Sequence, residues 1–101
     1  MEKRCPHYRL AEILDQMVSV EAMNLTISAA KSIRVLEMNE EEALSVIRAL
    51  TVHHFHKSMT TNRDHRVWQD VYHTSWGDIP LYVKFQRREE FFVISFKERE
   101  S

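Results

Sequence analysis

The sequence predicts an α+β domain in which N-terminal helices pack on a C-terminal antiparallel β-sheet. Apolar residues recur at helical spacing as far as residue 50, then alternate with period two in runs rich in β-branched and aromatic residues. Those later runs are joined by short turn-like segments, and helices followed by such a meander form two layers around one core. The 101 residues suffice for a single domain spanning 1–101, which at this length buries somewhat more than about 60% of the surface of its unfolded chain.

Each element follows from local chemistry. Leu10, Ile13, Leu14, Met17 and Val18 make one apolar stripe, so a helix is expected from Tyr8 to about Val18, its start marked by Pro6. Thr26 is positioned to cap a second helix from Ile27 to about Val35, supported by Ala29, Ala30 and Ile33. Asn39 with Glu42 forms a capping-box pattern, and the acidic run Glu40-Glu41-Glu42 suits a helix N-terminus. Ala43, Val46, Ile47 and Leu50 then supply the stripe of the third helix. The strand runs are His53–Thr61, Val67–His73, Pro80–Arg87 and Phe91–Phe96. Polar connections at Thr60–Asp64 and Ser75–Asp78, and a tight hairpin at Arg87–Glu90, separate them.

Composition narrows the function classes. With 44% hydrophobic and 29% charged residues, one Gly and two Pro, the chain is a compact domain and not a linker. It carries no apolar run of membrane-spanning length, and Met1–Pro6 has no signal-peptide core, so a cytoplasmic protein with no membrane partner is expected. Cys5 stands alone, which precludes an intramolecular disulfide or a cysteine metal site and suits a reducing compartment. A net charge of −1 argues against a general nucleic-acid binder. The charge is uneven, however: residues 51–101 hold eight basic and seven acidic side chains and five of the six His, so an anion site should be local and C-terminal.

Strand parity sharpens that expectation. Leu81, Val83 and Phe85 should share a core face with Phe92, Ile94 and Phe96, leaving Tyr82, Lys84, Gln86, Val93, Ser95 and Lys97 outward. Tyr82 and Lys97 would then line a groove, with Lys57 and Gln69 as the natural contributions from the preceding strands. Lys57 alternates with Phe55 and Met59, on the more apolar face of its strand, where a simply solvated lysine is less expected. Against these readings, a strand-end lysine and a half-exposed tyrosine are ordinary surface residues in most small domains. His53, His54 and His56 suggest zinc through an H-x-H pair, but no third ligand lies near in sequence. Trp68, Tyr72 and Trp76 are chemically able to stack bases, yet packing is the commoner role.

Three blocks carry a family resemblance: Lys57-Ser58-Met59-Thr60-Thr61, Asp64-His65, and Trp68-Gln69-Asp70-Val71-Tyr72. The opening Met1–Arg4, Pro6-His7 and Arg9-Leu10, and the closing Val93–Glu98, join them in the same order. Together they resemble the MqsR family of messenger-RNA interferase toxins over nearly the whole chain, with residues 15–50 matching only in helical pattern. The resemblance implies a RelE-like bacterial ribonuclease fold and a cofactor-free active-site set of Lys57, Gln69, Tyr82 and Lys97. It also implies messenger RNA as substrate, cut at GCU-like sites, and a cognate zinc-binding, DNA-binding antitoxin of the MqsA kind through which alone operator DNA is reached. Without metal ligands, the accessible route is attack of the ribose 2′-OH on the adjacent phosphorus, and two nearby lysines would depress one another's pKa. His7, His65, Lys84 and Arg87 are further RNA-binding candidates, the two imidazoles because they titrate nearest neutrality. Two rival readings are a non-catalytic module that docks an antitoxin or RNA, and a metal hydrolase built on His53, His54 and His56.

Overall fold

The computed structural model describes residues 1–100. Three α-helices pack on a five-stranded antiparallel sheet, four of whose strands follow them in the chain, giving the α+β fold expected: α1 (Leu10–Gln16), α2 (Ile27–Val35) and α3 (Glu40–Arg48), with strands β2 (Phe55–Thr60), β3 (Trp68–Trp76), β4 (Ile79–Arg88) and β5 (Glu90–Glu98). The fifth strand, β1 (Glu2–Lys3), was not legible in two residues; it pairs antiparallel with β2 at the sheet edge, and the sheet order is β1-β2-β3-β4-β5. No described helix is long and apolar enough to cross a membrane.

Local chemistry explains the helix boundaries. The Asn39 side chain accepts from the Glu42 N–H while the Glu42 carboxylate accepts from the Asn39 N–H, completing the capping box. Thr26 Oγ1 accepts from Ala29 N–H and starts α2. α1 is shorter than the Tyr8–Val18 expected, because Tyr8 is held outside it by Asp70, as described below. Its missing last turn is replaced by the Arg48 guanidinium, which donates to the Leu14 and Met17 carbonyls.

The core lies between helices and sheet, with Ile13, Met17, Ile33 and Ile47 against Tyr72, Leu81, Val83, Phe85 and Phe96. On β5 the expected parity fails. Phe91 and Val93 are buried with Phe96, whereas Phe92 pairs with Gln86 on the outer face and Ile94 is the extra residue of a β-bulge between Lys84 and Phe85. Val93 is therefore core, and Phe92 and Ile94 are not. A single inserted residue reverses every side chain beyond it, because the pleat has a period of two. Strand β3 also continues through Thr74–Trp76, past the connection expected there, and turns at Gly77, whose φ of +57° fits the first central position of a two-residue hairpin.

The open edge of β5 is largely covered from the N-terminal half. The Gln16 amide donates to Phe91 O at 2.7 Å and accepts from Phe91 N at 2.7 Å, as a neighbouring strand would. Asn24 also donates to Phe91 O, Thr26 N–H donates to Val93 O, and the Thr26 hydroxyl donates to Ile94 O.

Candidate active site

The sheet face turned away from the helices is read directly from the cross-strand register. One row runs Met59, Gln69, Gln86, Phe92; the next runs Lys57, Val71, Lys84, Ser95; the third runs His73, Tyr82, Lys97. Lys57, Gln69, Tyr82 and Lys97 thus share one face, contributed by four strands. Lys57 reaches it by a route parity did not foresee. A bulge at His56 puts Phe55 opposite Tyr72 on the core side and Lys57 opposite Val71 on the outer side, so Lys57 and Phe55 do not share a face.

Val71 is fully buried beneath this face and forms its apolar floor. Around it the Gln69 amide donates to Gln86 Oε1 at 2.8 Å, fixing both amides. Lys57 Nζ is 2.8 Å from the Glu2 carboxylate, delivered by β1. Lys97 Nζ stands 5.2 Å and Lys84 Nζ 6.0 Å from the Tyr82 ring centroid, where the ring's negative face attracts ammonium groups. Burial pushes the Tyr82 hydroxyl above its ordinary pKa, with the Lys57 charge opposing. Burial loosens the Lys84 proton first, and the charges of Lys97 and Lys57 add to this. Lys84 is thus a member of the cluster and not a peripheral contact. Its outward place midway along β4 is the one the Tyr82-Val83-Lys84 alternation predicts.

Other candidates are distributed differently. His7 lies on the helix side of the sheet, stacked on Trp68 at 5.2 Å with Lys3 Nζ 4.2 Å over the same indole. Asp70 holds it there, accepting from the His7 and Tyr8 backbone N–H groups and from the Ser58 hydroxyl. Arg87 also lies on the helix side, at the hairpin, opposite Phe91 and 5.5 Å from its ring. His65 is exposed in the loop between β2 and β3. None of these three joins the outer face. That loop nevertheless closes one end of the face in a cleft of about 350 Å³, bounded by Thr61, Asn62, Arg63, Gln86 and Arg88 among others.

The histidines separate. His53 and His54 belong to a 3₁₀ turn at Val52–His54 and not to a strand, and His54 Nδ1 accepts from Thr51 N–H. His56 instead stacks on His73, so the H-x-H pair has no common focus. Among the described residues, no three His, Cys, Asp or Glu side chains gather as metal ligands would. Trp68, Tyr72 and Trp76 all pack within the fold.

Comparison with known proteins gives a consistent assignment. The MqsR toxin family, described as motility quorum-sensing regulator, toxin of MqsA, matches residues 5–98. The mRNA interferase toxin MqsR of Escherichia coli (strain K12) is 35% identical over 99 residues, which cover 98% of this chain and 100% of that protein. With the family matched from before α1 to the last strand, the chain belongs to the MqsR toxin family.

Proposed function

We propose that this protein is the toxin of a toxin–antitoxin pair, an endoribonuclease that cuts messenger RNA, and that Lys57, Gln69, Tyr82 and Lys97 do the chemistry with Lys84. The observation that carries this reading is the register that brings side chains from four strands to one face over Val71. The mRNA interferase activity named for the Escherichia coli relative supports it.

The reaction needs no metal. The ribose 2′-oxygen bonds to the adjacent phosphorus while the bond from phosphorus to the 5′-oxygen breaks, leaving a 2′,3′-cyclic phosphate and a 5′-OH. A base takes the 2′ proton, an acid supplies one to the leaving oxygen, and cations stabilise the phosphorane. Lys57 and Lys97 are the phosphate-facing cations. Lys84, whose ammonium is disfavoured by burial and by its two neighbours, is suited to exchange a proton. The Gln69 amide, fixed by Gln86, orients the phosphate, and Tyr82 donates or stacks. Selection of GCU-like sequences belongs to the cleft beside Arg63, Gln86 and Arg88, where unpaired bases find donors and acceptors. The partner is an MqsA-like, zinc-binding and DNA-binding antitoxin, operator DNA is contacted only through it, and the whole single-domain toxin acts in the cytoplasm.

Purified protein acting on a messenger RNA tests this directly. Lys57→Ala and Lys97→Ala should each slow cutting by roughly 10²–10⁴-fold while keeping the fold. Cut ends should carry cyclic phosphate and 5′-OH, and EDTA should leave the rate unchanged. Normal cleavage by both alanine variants would overturn the site, and loss of activity in EDTA would overturn the mechanism.

A further inference from the structure

His56 and His73 have no part in the chemistry above, yet they stack closely on that face. Their rings are 3.9 Å apart and within 18° of parallel. The bulge at His56 turns its ring outward, and His73 extends the row to Tyr82, 5.9 Å away, and thence to Lys97. Arg99 Nη1 lies 3.5 Å from His73 Nδ1, held near by its own backbone N–H on Pro80 O at 2.8 Å.

Rings stacked face to face aim their nitrogens outward in parallel and not at a common point, so the pair is unsuited to grip a metal ion. It is suited to donate N–H bonds side by side. The surroundings are cationic: Lys57 and Arg4 act on His56, the stacked His56 ring and Lys57 act on His73, and Arg99 acts on both, so two protonated rings repel until an anion offsets them. Glu2 is the carboxylate acting on His56, and it is engaged by Lys57. Burial first, and then these charges, hold both imidazoles below their ordinary pKa. An anion is therefore what the cluster lacks.

We propose that His56, His73 and Arg99 form a second phosphate-binding subsite, which takes a backbone phosphate of the RNA strand flanking the one that is cut. The subsite rests on the reading of the outer face as the cutting face, because it extends the Tyr82–Lys97 row along the same strand path. Arg99 supplies a fixed charge, and the two imidazoles become donors as they protonate. A bound phosphate favours the protonated rings and raises their pKa. RNA affinity should thus rise as pH falls through the bound-state value, and level off below the free-state value.

Histidine ring resonances of the full chain, followed by NMR across pH, read this out. A single-stranded 2′-O-methyl oligoribonucleotide, which cannot be cut by 2′-OH attack, should raise the titration midpoints of His56 and His73. Arg99→Gln should weaken its binding by about ten-fold and lower the slope of log affinity against log salt by about 0.7. Midpoints unmoved at saturation, an oligonucleotide that does not bind, or a shift given by inorganic phosphate but not by the oligonucleotide would each overturn the subsite. The cutting-face reading fails separately: Lys57→Ala and Lys97→Ala variants that cut RNA normally would sink it whatever the histidines do.

Discussion

Asp70 is fully buried and spends its oxygens on main chain from the far end of the sequence. Its bonds to the His7 and Tyr8 N–H groups and to Ser58 fasten the segment before α1 to the centre of the sheet, and Tyr8 adds a bond from its hydroxyl to Trp68 O at 2.7 Å. A carboxylate accepting this many donors loses much on amidation, because one oxygen becomes an NH₂ that faces other donors. Asp70→Asn should cost roughly 2–3 kcal/mol in urea unfolding, and amide exchange at His7 and Tyr8 should accelerate. Unchanged exchange at those two amides would show that Asp70 is not what holds the segment. Upstream of this segment, the pairing of β1 with β2 brings Glu2 to Lys57, a contact between residues 55 apart in sequence. No local pattern could have revealed it, whereas the outward placement of Tyr82, Lys84 and Lys97 was legible from alternation.

Among the elements, regular pieces were readable and irregular ones were not. Both caps and the apolar stripe of α3 depend on residues three or four apart, so Thr26, Asn39 and Glu42 announced them. The two bulges, at His56 and Ile94, add one residue each without any distinctive chemistry. Each shifted parity, misassigning Val93, Phe92 and Ile94 while leaving Lys97 correctly outward beyond the second bulge. The Gln16 side chain is a third irregular device, a piece of α1 acting as a strand neighbour for Phe91. Gln16→Leu would leave the Phe91 N–H without that partner and should cost about 1–2 kcal/mol, seen as a lower urea midpoint. An unchanged midpoint would mean that solvent replaces the amide there.

Across the whole molecule, a net charge of −1 conceals two unlike sides. The acidic side chains Glu12, Asp15, Glu40, Glu41 and Glu42 ride on the helices, whereas Lys57, Lys84 and Lys97 share the outer face of the sheet. Binding of RNA to that face should release counterions from about three to five phosphates, a slope of log affinity against log salt of about −2 to −3.5. A slope near zero would remove the outer face as the RNA surface.

The covered edge of β5 governs what happens when this molecule opens. The groups masking Phe91–Ile94 come from Gln16, Asn24 and Thr26, all in the N-terminal half. If the helical layer detaches while the sheet persists, it bares a row of unsatisfied backbone groups beside apolar side chains, a template for another chain. The half-open species is then the one prone to self-association, and its population during heating decides how much protein returns on cooling.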